Sequence, residues 1–264
     1  MNELSEKYYQ ITEHAYRHLA APATNHMNLG VWPAKSLASA QSQLVFNVLN
    51  NLKISTNQNV RILELGSGWG GSREVADRVF PSCDYTGINL SENQIKHSQS
   101  LNQIFPHTSY IHGYMENVFD LTREGRQGIK YDGVFGVESV IHIADKRQLF
   151  SELSKVAKSF SFAEISIESD DVRNEKLFYP SLTNCISQDN YKTILDGLEV
   201  EWEIKDIAED VFRGWSVALQ QIEPSSFKGN LRVLSQFKKA YSALDALSLD
   251  CKVKYLLIHG NFKG

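Results

Sequence analysis

Glu64 and the glycines Gly66, Gly68 and Gly70 stand where a chain could hold a ligand by its backbone. They close an apolar run, Val60 to Leu65, that reads as a buried strand. Glycine allows a sharp turn and lets the backbone approach a ligand with no Cβ in between. A helix expected from Ser72 would aim its free N–H groups and the positive end of its dipole at the turn. Gly66, Gly68 and Gly71 also satisfy G-x-G-x-x-G, a pattern suited to a dinucleotide with its pyrophosphate on the helix N-terminus. Glu64 separates the two readings. A carboxylate at the strand end would repel a pyrophosphate and attract the ammonium of an amino acid. A plain turn without a ligand would not need three spaced glycines, which cost chain entropy.

A proton could move at His142. It follows Tyr131 to Val137, an expected strand, and so falls on the C-terminal edge where open α/β sheets bind ligands. An ordinary imidazole pKa near 6.5 suits transfer near neutrality. The other reading is a histidine at the start of a helix with a routine hydrogen bond.

The elements that must position these residues alternate. Apolar runs at about 60–65, 84–89, 109–114, 131–137 and 160–167 are separated by helical patterns, the sign of a parallel α/β sheet. Ser91 to Gln94 reads as a capping box opening a helix. Leu44, Val45, Val48, Leu49 and Leu52 give a helical stripe before the first strand. Val200, Trp202 and Ile204 alternate with charged residues, which suggests a sixth strand. A helix carrying Leu231, Leu234, Phe237, Tyr241 and Leu244 on one face precedes a last strand from Val253. The fold class is therefore α/β: a seven-stranded, mostly parallel sheet with helices on both faces and a helical substrate cover. One domain is expected over residues 1–264, with a helical lid at 1–35, a cofactor-binding core at 36–170, a substrate-covering helical region with strand six at 171–250, and the last strand at 251–264.

The chain is 42% hydrophobic and 22% charged, an ordinary globular composition. A net charge of −4 gives no basic field for nucleic acid. No basic-then-apolar leader pattern opens the chain, and no apolar run reaches the roughly 18 residues of a membrane span. Cys83, Cys185 and Cys251 are far apart and odd in number, which fits free thiols in a reducing cytosol and offers no zinc spacing. The histidines form no metal-binding cluster. The expectation is a cytoplasmic protein with a small-molecule partner, no nucleic acid, no membrane and no metal; a homodimer is left open.

Glu64-x-Gly66-x-Gly68-x-Gly70 resembles the first motif of the class I, Rossmann-like S-adenosylmethionine-dependent methyltransferases. Thr86 to Ile95 resembles the segment after strand two in a group holding sterol and tocopherol C-methyltransferases, cyclopropane synthases, and sugar and natural-product O-methyltransferases. Tyr131 to His142 is similar to that group's fourth-strand segment, and His26 to Trp32 to its H-x-x-x-G-x-W segment. The likeness extends over most of the chain. The resemblance implies S-adenosyl-L-methionine as cofactor and Glu64, Gly66, Ser67, Gly68, Gly70, Asn89, Leu90, Gln94, Met115, Glu116, Gly136 and Val137 as its contacts. It implies His142 as general base and Glu164 as the acidic residue ending strand five, orienting His142 or binding the acceptor. Tyr8, Tyr16 and Trp32 would form an aromatic lid. Glu138 would anchor a loop through backbone N–H groups.

Three departures from the group's pattern stand out. Asn89 occupies the usual acidic position for the ribose hydroxyls, and an amide is a weaker anchor than a carboxylate. Gln94 can serve the ribose instead, or close the capping box, or both. Tyr114 follows Gly113 where an aspartate is usual, so Met115 or Glu116 would meet the adenine. Lys158 to Ser161 lacks the usual Pro-Gly-Gly turn.

The resemblance implies methyl transfer to a small, secondary-metabolite-like acceptor in natural product biosynthesis. O-methylation is the favoured chemistry, with C- or N-methylation as the alternative. From other classes, a non-catalytic S-adenosylmethionine-binding protein and a nicotinamide oxidoreductase are the competitors.

Overall fold

A computed structural model describes residues 25–55, 59–81, 83–118, 120, 131–173, 182, 184–220 and 231–263. Seven strands form one sheet in the order β3-β2-β1-β4-β5-β7-β6. They are β1 (Arg61–Leu65), β2 (Asp84–Asn89), β3 (Thr108–His112), β4 (Tyr131–Val137), β5 (Ala157–Ile167), β6 (Val200–Asp206) and β7 (Val253–Phe262). The first five pair in parallel, and β7 lies antiparallel between β5 and β6.

The sequence patterns follow from this placement. β1, β2, β4 and β5 are covered on both faces, so nearly every residue in them is buried, including polar ones such as Thr86, Ser161 and Glu164. β6 is an edge strand whose residues alternate between half-buried and exposed, which is the alternation visible at Val200, Trp202 and Ile204. Strand β5 begins at Ala157, earlier than expected. With no Pro-Gly-Gly turn, the preceding helix runs to Val156 and the chain passes directly into extended backbone.

Helices α1 (Leu37–Asn50), α2 (Ser72–Val79) and α3 (Glu92–Ser100) belong to the first half. Helices α4 (Lys146–Val156), α5 (Gln188–Asp196), α6 (Gly214–Gln220) and α7 (Leu231–Leu249) belong to the second. Side chains cap several starts: Ser36, Ser91, Asp145 and Ser187 accept from the N–H groups of Ser39, Gln94, Gln148 and Asn190. Leu44, Val45, Val48 and Leu49 of α1 enter one apolar core; Leu149, Phe150 and Leu153 of α4 enter another.

Between β6 and β7 the chain makes a single π-helical turn, Glu209–Arg213, and then α6 and α7. Trp215 of α6 packs edge-on against Tyr241 of α7, with ring centroids 5.7 Å apart. Strand order reverses between β1 and β4, which places a crevice at their carboxyl ends. Among the described residues no helix is long and apolar enough to cross a membrane, and no group of three His, Cys, Asp or Glu could hold a metal.

Candidate functional site

The loop from β1 to α2 is pinned across β2. The N–H groups of Gly66 and Ser67 both donate to the Ile88 carbonyl, at 2.8 and 3.0 Å. Protein atoms crowd two of the loop glycines. A Cβ on Gly66 would lie 2.5 Å from Ser139 Cβ, and one on Gly70 would lie 2.9 Å from the Tyr110 hydroxyl. Gly68 differs. Its φ is +51°, and the nearest atom to a Cβ there is the Met27 sulfur at 3.9 Å, an ordinary contact distance. Among the described residues Gly68 is therefore the least crowded of the three, with no backbone near its Cβ position.

Beside this loop Glu64 is buried at the end of β1, in register with Gly87. The Tyr85 hydroxyl donates to its Oε2, and Ser72 also hydrogen-bonds it. Burial raises its pKa to about 8, and Ser72 draws it back. An ammonium placed against it would draw it down much further.

The end of β2 carries a linked pair. Asn89 Nδ2 donates to Gln94 Oε1 at 2.6 Å, while the Gln94 backbone N–H donates to Ser91 at 3.3 Å. Half of the capping box is thus formed. Its glutamine side chain turns instead towards Asn89 and the Met27 sulfur, 3.8 Å from Nε2. The Leu90 carbonyl lies 2.8 Å from His112 Nε2. Met115 is buried, with its sulfur 3.5 Å from a Cβ position on Gly66; Glu116 follows on the same short turn, and Tyr114 is exposed.

At the end of β4, Gly136 leaves room for the Ser139 hydroxyl, which a Cβ would approach to 2.5 Å. Val137 is half-buried. Glu138 has a φ of +54°, and its Oε1 accepts from the Leu29 N–H at 2.8 Å and the Tyr255 hydroxyl at 2.7 Å. Burial pushes its pKa to about 7.

His142 ends the short helical turn Val140–His142 and is buried. Burial, with the Lys146 ammonium nearby, lowers its pKa to about 4, so the imidazole is neutral at physiological pH. Its carbonyl accepts from Asn184 Nδ2 at 2.8 Å.

Glu164 reaches this turn through the backbone rather than the imidazole. Its Oε1 accepts from the N–H groups of Ser139 (3.3 Å) and Val140 (2.9 Å), and its Oε2 from Ile141 (3.0 Å). Burial raises its pKa to about 8, against the pull of those N–H groups and of Lys146. Lys146 Nζ itself donates to the carbonyls of Ile143 and Asn184.

Of the expected lid, Tyr8 and Tyr16 lie outside the described residues. Trp32 packs on Gly214 at the start of α6, and its backbone N–H donates to the Asp210 carbonyl at 2.8 Å. A cavity of about 620 Å³ opens beside it, between residues 32–37 and 209–219.

The structure thus brings Glu64, the glycine loop, Asn89, Gln94, Met115, Gly136 and His142 to one sheet edge. Three residues join them that the sequence reading did not single out. Tyr85 could have been suspected from a hydroxyl in a buried strand. Met27 and Tyr255 carry no local signal, because their partners are far away in the chain.

Residues 63–162 match the family model described as a methyltransferase domain. An O-methyltransferase of Pyrenophora dematioidea is 24% identical over 147 residues, 53% of this chain and 52% of that protein. A glycine/sarcosine/dimethylglycine N-methyltransferase of Actinopolyspora halophila is 25% identical over 148 residues, 54% of this chain and 24% of that protein. The chain thus spans about half the length of one curated relative and about a quarter of the other. Geranyl diphosphate C-methyltransferase of Streptomyces coelicolor A3(2) shares the fold, with a TM-score of 0.76 over 99% of this chain and 98% of that one, at 15% identity. That enzyme was solved with Mg2+, geranyl diphosphate and S-adenosyl-L-homocysteine.

Proposed function

We propose that the chain is a class I S-adenosylmethionine-dependent methyltransferase that moves a methyl group to a small-molecule acceptor, a hydroxyl oxygen being favoured. The observation that carries this reading is the pairing of a buried Glu64 with a loop glycine, Gly68, whose Cβ position meets only the Met27 sulfur among the described residues. The cofactor, when bound, supplies an electrophilic methyl carbon on its sulfonium.

This chain's residues bind, orient and exclude water. Glu64 takes the cofactor ammonium in a charge-assisted contact. Gly66, Ser67, Gly68 and Gly70 pass beneath the methionine portion. Asn89 and Gln94 share the ribose hydroxyls, an amide pair in place of one carboxylate. Leu90, Met115 and Glu116 border the adenine. Gly136 and Val137 line the methionine portion by their backbone. His142 takes the acceptor's proton on a ring nitrogen. Glu164 is a positioning residue, because three backbone bonds let it set the turn that carries His142.

A second reading has an amine or carbon acceptor that His142 orients without deprotonating. The lowered imidazole pKa favours it, since a group that resists protonation is a weak base. The O-, N- and C-methyltransferases among the similar proteins are compatible with either.

Calorimetry with S-adenosylhomocysteine, then methyl transfer from labelled S-adenosylmethionine to hydroxyl, amine and carbon acceptors, tests the proposal. Saturable binding with label on a hydroxyl acceptor is expected. No binding overturns the cofactor assignment. Binding with no turnover on any acceptor class leaves a non-catalytic binder.

A further inference from the structure

Residues 25–32 form a strap across the C-terminal edge of the sheet. Asn25 Oδ1 sits 3.1 Å from Nε2 of His97 on α3. The Met27 sulfur meets the Gln94 amide. The Leu29 N–H is held by Glu138 at the end of β4. The Trp32 backbone N–H donates to the Asp210 carbonyl in the excursion after β6. The α1 side also grips it: Gln41 Nε2 donates to the Asn28 carbonyl at 2.9 Å, and the Val31 N–H donates to the Ala40 carbonyl at 3.0 Å. The strap therefore runs from α3, over β1, to β4 and beyond, directly above the glycine loop.

Met27 is the point at which the strap meets that loop. Among the described residues its thioether is the nearest atom to a Cβ position on Gly68, the least crowded of the loop glycines. The same sulfur accepts from the Gln94 side chain, whose other end is bonded to Asn89. Among the described residues Met27 is half-buried and joins neither apolar core, so core packing does not account for it. A thioether is polarisable and unbranched, and so adapts to a ligand surface.

We infer that Met27 forms a wall of the cofactor site, packing across from Gly68 on the ribose and sulfur-bearing part of the cofactor and holding Gln94 towards it. This rests on the proposed cofactor assignment. It adds a contact from outside the strand-and-loop motifs, and makes the strap part of the binding surface.

The chain has three methionines, so methyl-13C methionine labelling gives a sparse spectrum in which Met27→Leu identifies the Met27 resonance. Titration of the wild-type chain with S-adenosylhomocysteine should shift that resonance with the same saturation curve that calorimetry reports. Met27→Ala should weaken binding about three- to tenfold, the loss expected for part of a buried methionine. Met27→Leu, which conserves volume, should stay within about twofold. Melting of the unliganded variants separates lost contact from lost fold. If wild type binds and the Met27 methyl does not move, the inference is overturned while the cofactor assignment stands. If wild type does not bind S-adenosylhomocysteine, both fail together.

Discussion

Glu64 and Glu164 make a controlled comparison. Each lies on a parallel strand near the same sheet edge, each is buried, and burial lifts each pKa to about 8. Their partners differ. Glu64 meets the hydroxyls of Tyr85 and Ser72, and a hydroxyl can donate or accept as it rotates. Such a shell can follow a change in the carboxyl's charge. Glu164 meets three backbone N–H groups fixed in a turn, and these can only donate. It is committed to that turn. Residue type, burial and pKa are the same in both places, so the partner's chemistry distinguishes a carboxyl that can greet a ligand from one that holds the chain.

The largest expected effect lies at the Glu64 end, in the loop. Gly68→Val should remove detectable S-adenosylhomocysteine binding. A β-branched residue is strained at a φ of +51°, and its side chain would fill the space towards Met27. Thermal melting should show a modest loss of stability of the unliganded chain, because a Cβ there meets no backbone. A folded variant that binds normally by calorimetry would move the cofactor away from this loop.

At the other end, His142→Ala should leave cofactor affinity unchanged and lower turnover on a hydroxyl acceptor by about 10²–10⁴-fold. The loss should shrink at high pH, where the hydroxyl ionises more readily unaided. An amine or carbon acceptor would give a smaller loss that varies little with pH. The pH profile of the variant against wild type therefore distinguishes base from orienting group. Turnover within about twofold of wild type would remove His142 from the mechanism.

Legibility in the sequence follows the same divide. The Glu64 end could be read because its parts are contiguous: strand, carboxylate, glycines and helix start lie between Val60 and Ser72. The strands were legible for a related reason, since burial leaves clusters of apolar residues as in β1 and β4 and an edge writes an alternation as in β6. The bonds of Glu164 were not legible. Its partners are 23 to 25 residues away and are backbone groups, which no side-chain pattern reports. The Glu138–Tyr255 bond spans 117 residues and was equally silent. Gln94 shows a partial case: its capping position could be read from Ser91, but the turning of its side chain to Asn89 depends on the strand end beside it.

A smaller effect sharpens the comparison through protons. Free Glu64 is mostly protonated below about pH 8, whereas pairing with the cofactor ammonium would ionise it. Binding near pH 7 should therefore release a proton, and affinity should rise as pH rises towards 8. Glu64→Gln should abolish that release and weaken S-adenosylhomocysteine binding about tenfold to a hundredfold, the range for a charge-assisted contact of about 1.5–3 kcal/mol. Calorimetry in buffers of different ionisation enthalpy measures both at once. Proton release that persists in Glu64→Gln would assign it to another group.

The smallest effect on the ligand belongs to Glu164→Gln. The amide oxygen can keep the two N–H bonds made by Oε1, but the NH2 group would then face the Ile141 N–H, donor against donor. One buried bond is lost, at a cost of about 1–3 kcal/mol in stability. S-adenosylhomocysteine affinity should stay within about twofold, since the turn, not the cofactor, is touched. The pH dependence of stability gives a second readout. Glu64, Glu138 and Glu164 have folded pKa values raised above the ordinary 4.5, to about 8, 7 and 8. Above pH 4.5 the folded chain therefore holds protons that the unfolded chain has given up, and stability falls as pH rises through 7 to 8. His26, His142 and His259, all lowered, act mainly up to about one unit above their ordinary 6.5, so a window from pH 7.5 to 8.5 lies beyond them. Urea unfolding of the unliganded chain across that window should show a downward slope in wild type and a shallower one in Glu164→Gln. Adding saturating S-adenosylhomocysteine should flatten the slope again in both, because the ligand takes over the Glu64 share and leaves the Glu164 share alone. An equal slope in wild type and Glu164→Gln would mean that the three N–H donors already hold Glu164 ionised, and that burial does not govern this end of the sheet.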